Sequence, residues 1–188
     1  FLPLWASIPN YHRAKNIIEK NICNPSRFLD LGGISIFPLS YLQSTGSLSE
    51  LSIFWNNLLL YGLCNYGYYK EAAQIYQRMM DCCIIPQLKH KRAFLQTNTK
   101  GEPLSTSGKN QLSNLPSVRL FLWIAGIRFL SESQILISGI NPFPWPITVK
   151  YQGLRIIRQK NKTTIAYSNA KPITLHGTET HRITIPRS

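Results

Sequence analysis

The stretch Ile147-Thr-Val-Lys-Tyr-Gln-Gly-Leu-Arg-Ile-Ile-Arg-Gln-Lys-Asn-Lys-Thr-Thr-Ile-Ala-Tyr167 alternates between apolar and polar residues with a period of two. This period is that of a β-strand with one buried face, and Gly153 and Asn161 divide the stretch at positions suited to turns. The pattern predicts a run of short antiparallel strands. The same alternation appears on both sides of the stretch, at Ile135/Ile137, Ile173/Leu175 and Ile183/Ile185.

Upstream of residue 131 the apolar residues recur at helical spacing instead. Asn10 is an N-cap candidate for a first helix, whose apolar side holds Ala14, Ile17, Ile18 and Ile22. Residues 52–65 and a second apolar segment after Gly67 predict two helices joined by a tight turn, an αα-hairpin. Residues 115–129, with a proline in the first turn, predict one more helix.

Two long segments, 31–52 and 86–114, are rich in Gly, Ser and other polar residues and show no sustained period. They are predicted to be loops, and the second is of the length that often carries function. Helices first and strands last is the order of an α+β chain. The sequence therefore predicts two domains, 1–131 and 132–188, the second a small antiparallel β module. Residues 177–182 are predicted to be a loop inside that module.

The charge balance is strongly basic, with 21 Lys and Arg against 8 Asp and Glu and a formal net charge of +13. Such an excess raises nucleic acid as a partner. The basic residues are spread along the chain, however, and only Lys89-His90-Lys91-Arg92 forms a cluster. The aromatic residues do not interleave with basic ones as a base-stacking platform requires. Nucleic acid is therefore not the favoured partner.

The four cysteines, Cys23, Cys64, Cys82 and Cys83, lie in apolar or helix-like stretches without a CxxC pair. They are predicted to be reduced core thiols, which favours a cytoplasmic location. The 4 histidines share no metal-ligand spacing, so the sequence predicts neither a metal site nor a cofactor. No uninterrupted apolar run of about 18 residues occurs, and no membrane partner is expected.

A proline-rich segment introduces the β module: Asn141-Pro-Phe-Pro-Trp-Pro-Ile-Thr-Val-Lys-Tyr-Gln-Gly-Leu154. Its prolines enclose two aromatic residues and make a rigid entry into a strand. The segment resembles the C-terminal end of bacterial glycosidases related to mannosylglycerate hydrolase and to the processing α-glucosidase and trehalase families. Further pieces follow the order found in those enzymes: Phe1-Leu-Pro-Leu-Trp5, Asn24-Pro25, Leu60-Tyr-Gly-Leu63, Tyr66-Gly-Tyr68, Gly101-Glu-Pro-Leu104, Leu112-Ser-Asn-Leu115 and Leu120-Phe-Leu122.

The resemblance implies that residues 1–131 are the last helices of an (α/α)6-barrel catalytic domain, so that the chain is a C-terminal fragment. Such enzymes hydrolyse glycosidic bonds with inversion, between a general acid and a general base roughly 6.5–9.5 Å apart. The family's acid lies upstream of Phe1. Its base would fall at Ala93 or Phe94, and neither is a carboxylate. Glu102, the acidic residue of that segment, is a candidate base or else an ordinary loop or capping residue.

The same resemblance suggests three substrate-binding candidates, each with a structural alternative. Asn56 or Asn57 corresponds to a family Asn whose amide would bind a sugar hydroxyl, or it bonds local backbone at a helix start. Trp55 would offer a flat face to a pyranose ring, or it packs in the core. The family's Gly-Pro-Val-Trp motif is replaced here by Glu50-Leu-Ser-Ile-Phe-Trp55.

Three functions are weighed on these features. The first is the C-terminal segment of an inverting α-glycosidase with a carbohydrate substrate, inactive as this fragment because the acid is absent and the base is not recognisable. The second is a degenerate remnant that binds carbohydrate without catalysis or serves as a scaffold. The third is a basic nucleic-acid-binding module, which is suggested only by charge. No motif reports the sugar, the linkage or the oligomeric state.

Overall fold

The computed structural model describes residues 1–47, 49–91, 94–106, 116–151, 153–167 and 170–184. They form two compact units, Phe1–Leu120 and Phe121–Ser188. Helices dominate the first unit and strands the second, in agreement with the predicted α+β class. The division falls inside the last helix, and the assignment of residues 1–131 to a catalytic domain stays a prediction.

Six α-helices lie within the described residues: α1 (Leu2–Trp5), α2 (Tyr11–Ile17), α3 (Leu39–Thr45), α4 (Ile53–Asn65), α5 (Tyr69–His90) and α6 (Val118–Ile124). Asn10 caps α2, because its Oδ1 accepts a hydrogen bond of 3.0 Å from the Arg13 N–H. A π-helical segment, Ile18–Ile22, continues α2 and keeps Ile18 and Ile22 on the buried side. The predicted first helix is confirmed.

The αα-hairpin predicted after residue 52 is confirmed by α4 and α5. Gly67 makes the turn between them with a φ of +83°, a conformation that glycine adopts without strain. The core residues of the pair are Leu59, Leu60, Leu63, Ala72, Ala73, Ile75, Tyr76 and Met79. α5 runs past the predicted loop start to His90, with Pro86 inside it. Pro86 is buried, and this packing offsets the backbone hydrogen bond that proline cannot donate.

Both segments predicted to be loops contain regular elements, so those predictions were wrong in part. The first holds a two-residue strand, Gly33–Ile34, together with α3, and the second holds a two-stranded hairpin. The strands of this unit pair antiparallel as β1 (Leu29–Asp30) with β2 (Gly33–Ile34) and β3 (Phe94–Thr97) with β4 (Pro103–Thr106). β1 and β2 have two residues each, too few to show a period of two, and the register of β3 with β4 is irregular.

The second unit contains two antiparallel sheets, with strand orders β10-β9-β8-β7 and β11-β6-β5. The strands are β5 (Ile127–Ser131), β6 (Gln134–Ile137), β7 (Ile147–Tyr151), β8 (Leu154–Arg158), β9 (Lys162–Tyr167), β10 (Ala170–His176) and β11 (His181–Thr184). The predicted strands are confirmed as β6 to β11, and Ile185 lies outside the described residues. The loop predicted over 177–182 is shorter, because His181 and Arg182 belong to β11.

The two sheets enclose one apolar core, formed by Ile127, Ile135, Ile137, Leu154, Ile156 and Ile165. The helix predicted over residues 115–129 was wrong at its C-terminal end, because α6 stops at Ile124. Residue 115 lies outside the described residues. Gly126, with a φ of +76°, leads directly into β5. β5 then pairs with β6, with Phe129 opposite Ile135, so an apolar run that fits a helix is used as a strand.

Arg158 is a buried charged side chain among the described residues of the second unit. Arg158 on β8 is 2% exposed, and its guanidinium donates hydrogen bonds to the carbonyls of Ala125, Ser138 and Gly139 and to Thr163 Oγ1. Burial lowers the pKa of Arg158 from its ordinary value. These bonds join the end of α6, the end of β6 and the neighbouring strands β8 and β9.

Candidate functional site

The turn between β3 and β4 lies against the segment that precedes α4. Backbone hydrogen bonds of 2.9 Å join the Leu51 N–H to the Thr97 carbonyl and the Thr99 N–H to the Ser49 carbonyl. They hold the two segments side by side in the manner of a short sheet. The loop that bears Glu102 therefore pairs with the segment just before α4.

Glu102 closes the β3–β4 turn through Asn98. The Asn98 Nδ2 donates to Glu102 Oε2 at 2.7 Å, and the Glu102 N–H donates to Asn98 Oδ1 at 2.8 Å. Asn98 Oδ1 also accepts from the Lys100 N–H at 3.0 Å, and Asn98 is 1% exposed. Glu102 is exposed, and its carboxylate stabilises the β3–β4 turn through Asn98. Its role as a base stays a prediction.

Asn56 is a buried residue whose polar atoms are bonded to backbone. Its Nδ2 donates to the carbonyls of Ile34 at 2.9 Å and Ser52 at 3.0 Å, and its Oδ1 accepts from the Ile34 N–H at 2.8 Å. Both amide protons are therefore used inside the protein. Gly33 permits this approach, since a Cβ there would lie 2.8 Å from Asn56 Oδ1. The structure gives Asn56 the role of fastening β2 to α4.

Trp55 and Asn57, the neighbours of Asn56, lie in different surroundings. Trp55 is 39% exposed and meets Phe54, which is 65% exposed, edge to face with ring centroids 5.3 Å apart. The two rings form an exposed apolar surface at the start of α4. Asn57 Oδ1 is buried and accepts no hydrogen bond within the described part of the chain. A buried acceptor of this kind is uncommon and destabilising.

The resemblance would place the base at Ala93 or Phe94. Ala93 lies outside the described residues. Phe94 begins β3, opposite Thr106 in the β3–β4 register. Both residue types lack an ionisable group, so neither can activate a water molecule.

A cleft of about 380 Å³ opens beside this turn and is lined by three separate stretches of the first unit. Its lining residues are Asp30, Leu39, Leu42, Gln43, Gly46, Ser47, Ser49, Asn98, Thr99 and Lys100. They come from β1, from α3 and the loop after it, and from the β3–β4 turn. The volume falls within the range of small-molecule sites, and most of the lining side chains carry hydrogen-bonding groups.

Asp30 is the carboxylate of the cleft, and two hydrogen bonds orient it. Thr99 Oγ1 donates to Asp30 Oδ2 at 2.6 Å, and the Leu31 N–H donates to Asp30 Oδ1 at 2.8 Å. Gly32 lets the β1–β2 turn reach Thr99, since a Cβ there would lie 2.6 Å from the Thr99 carbonyl oxygen and 2.4 Å from Cys82 Sγ. The close glycine turn therefore places the carboxylate at the cleft wall.

Sequence reasoning found the loop of Glu102 but missed the cleft itself. Asp30 and Thr99 are 69 residues apart, and no spacing in the sequence relates them. The available signal was Asp30-Leu-Gly-Gly33, because paired glycines after an acidic residue mark a close backbone approach.

Within the described residues, no three His, Cys, Asp or Glu side chains come together as a metal site would require. In the same part of the chain, no helix combines the length and the apolar character needed to cross a bilayer. Comparison of the chain with protein family models, with curated proteins and with solved structures found no match.

Proposed function

We propose that the chain is the C-terminal segment of an inverting α-glycosidase of the (α/α)6-barrel type, and that it binds saccharide in the cleft without hydrolysing it alone. The observation that carries the proposal is the composition of the cleft. A single carboxylate, two amides, hydroxyls and a lysine line one small-molecule-sized space. The saccharide is the carbohydrate partner that the resemblance implies.

Saccharide suits this lining because sugars present many hydroxyl groups that both donate and accept hydrogen bonds. Carboxylates accept from two hydroxyls at once, amides do both, and ammonium groups donate to ring and hydroxyl oxygens. Asp30, Gln43 and Lys100 supply these groups, whereas the Asn98 amide is 1% exposed and already bonded within the β3–β4 turn. In the same unit, the exposed pair Trp55 and Phe54 at the start of α4 offers an aromatic surface for a further sugar ring.

Absence of hydrolysis follows from the count of carboxylates. Inverting hydrolysis needs a protonated acid and an ionised base on opposite faces of the sugar. Among the described residues that line the cleft, Asp30 is the only carboxylate, and two hydrogen bonds already engage it. Glu102 is bound to Asn98 and does not line the cleft. A barrel in which earlier helices bring the acid would supply one missing group.

The helical hairpin and the thiols support the remaining parts of the proposal. A hairpin of two helices, such as α4 and α5, is the unit from which an (α/α)6 barrel is assembled. Cys23, Cys64, Cys82 and Cys83 are free thiols, which suits a reducing compartment such as the cytoplasm.

Isothermal titration of the 188-residue chain with α-linked disaccharides and glycosyl-glycerates tests the proposal, with product analysis by chromatography. We expect binding without turnover. Gln43→Ala and Lys100→Ala should each weaken binding by about fivefold to tenfold, because each removes one exposed hydrogen-bonding group. Gln77→Ala and Lys70→Ala are matched controls, since both residues are exposed on α5 away from the cleft. The controls should leave the affinity unchanged.

Three results would contradict the proposal. Hydrolysis that Glu102→Gln abolishes would show that the turn carries a working carboxylate. No binding in any titration would leave the second interpretation, a scaffold remnant, as the better account. Equal losses of affinity in the cleft variants and in the α5 controls would show that the sugar does not bind in the cleft.

A further inference from the structure

The outer face of the four-stranded sheet is defined by the strand register. Ile156 on β8 and Ile165 on β9 point into the core, so the residues before and after each of them on its strand point to the outer side of the sheet. One outer row runs Lys150, Arg155 and Ala166, and the next runs Thr148, Ile157, Thr164 and Thr174. Lys162 and His176 pair at the far end. We call these residues the basic face.

Lys150 and Arg155 are directly opposite each other on β7 and β8, and both are exposed. Opposed residues in antiparallel strands have Cβ atoms about 5 Å apart, and like charges in that arrangement destabilise a sheet. The two carboxylates of the second unit, Glu132 and Glu179, lie outside the four strands. The sheet therefore keeps two cations side by side that its own strands do not neutralise.

A second basic end and a row of hydroxyls complete the basic face. Lys162 lies four residues along β9 from Ala166, about 13 Å at about 3.3 Å per residue. Between the two ends lie Thr148, Thr164 and Thr174, whose hydroxyls donate and accept hydrogen bonds. Among the described residues of this face there is no Phe, Tyr or Trp.

We propose that the basic face binds an acidic polysaccharide, a chain that carries carboxylate or sulfate groups with free hydroxyls between them. The acidic groups would neutralise Lys150 and Arg155 at one end and Lys162 at the other. The hydroxyls of the intervening sugar would meet the threonine row. This site is separate from the cleft of the first unit and does not depend on the function proposed for it.

The pattern fits an acidic polysaccharide better than nucleic acid or a membrane. Single-stranded nucleic acid is held by aromatic stacking, for which this face offers no ring. The backbone of a DNA duplex offers acceptor oxygens but no hydroxyl donors, so the threonine hydroxyls could donate to it but would accept nothing from it. An anionic membrane is bound by basic groups with apolar side chains that insert, and Ile157 is half-buried in the sheet.

The test compares two double variants with the same net charge. Lys150→Thr with Arg155→Thr removes the opposed pair and keeps residues that favour strands. Lys15→Ala with Lys70→Ala removes two exposed cations from helices of the first unit. The probes are heparin and polygalacturonate oligosaccharides, a short DNA duplex, and phosphatidylcholine vesicles that contain phosphatidylserine. Binding is measured by fluorescence anisotropy or co-sedimentation over a series of salt concentrations.

We expect the sheet variant to bind the acidic oligosaccharides about tenfold more weakly, with a salt dependence lower by about two charges. The helix variant should stay within about twofold of the parent chain. The sheet variant should also melt at an equal or higher temperature, because the like-charge pair is gone. Thr164→Val, which keeps the shape and the charge, should weaken polysaccharide binding more than DNA binding, because only the polysaccharide both donates to and accepts from the hydroxyl.

Three results would overturn the proposal. Equal losses in both double variants would show that net charge alone drives binding. Tighter binding of the DNA duplex or of the vesicles than of the oligosaccharides at the same ionic strength would assign the face to another class of partner. Full affinity of Thr164→Val would show that the hydroxyl row takes no part.

Discussion

Replacing Arg158 by Met should destabilise the second unit by about 3 kcal/mol. The guanidinium makes four hydrogen bonds, to the carbonyls of Ala125, Ser138 and Gly139 and to Thr163 Oγ1. At about 1.5 kcal/mol for each bond to a charged donor, their loss costs about 6 kcal/mol. Methionine carries no charge, so the variant avoids the desolvation cost of the buried cation, roughly 3 kcal/mol. The net loss of stability is therefore about 3 kcal/mol. Methionine fills most of the same space, so a cavity adds little.

The control is Arg155→Met, three residues earlier on the same strand and exposed. It should change the free energy of unfolding by no more than about 0.5 kcal/mol. Urea unfolding followed by fluorescence gives the difference, and hydrogen exchange of the β8 and β9 amides shows whether the loss lies in this sheet. Equal stabilities for the two variants would refute the reasoning that these four bonds hold the unit together.

Three further predictions concern a glycine, an asparagine and two thiols. Gly126→Ala should lower the free energy of unfolding by about 2 kcal/mol more than Gly139→Ala. Both glycines have positive φ, but only at Gly126 would a Cβ meet a backbone oxygen, at 2.0 Å; equal losses in urea unfolding would contradict this. Asn56→Ala should cost about 3 kcal/mol through its three backbone hydrogen bonds, whereas unchanged stability with lost sugar binding would make it a ligand. Burial raises the pKa of Cys64 and of Cys83 to about 12, so both thiols stay protonated in the fold. Unfolded thiols titrate near about 8.5, so stability should fall as pH rises from there towards about 12. Iodoacetamide at about pH 9 should label them only when urea is added, and rapid labelling of the folded chain would count against burial.

The strands of the second unit could be predicted because their alternation is long and regular. Six strands were found from apolar residues at every second position, and glycine and asparagine marked two of the turns. β5 was missed because Leu120, Phe121, Ile124 and Ile127 also fit a helix. The decisive signal was Gly126, a residue that ends helices in the left-handed conformation.

The cleft could not be predicted, because its residues belong together only through tertiary contacts. The Thr99 hydroxyl reaches Asp30 because Gly32 has no side chain, and neither fact leaves a periodic trace in the sequence. The resemblance directed attention to Asn56, which the structure uses to fasten β2 to α4. Asn98 was overlooked because an asparagine in a polar loop is common, although this one organises the turn that forms the cleft wall.

The most direct test of saccharide binding in the cleft is hydrogen exchange of the 188-residue chain, read by mass spectrometry with and without saturating α-linked disaccharide. Slower exchange is predicted in residues 39–47 and 98–100, the two segments that supply most of the cleft lining, with no change in α5 or in the β module. Unchanged exchange in the cleft, or slower exchange confined to other parts of the chain, would contradict the proposed function.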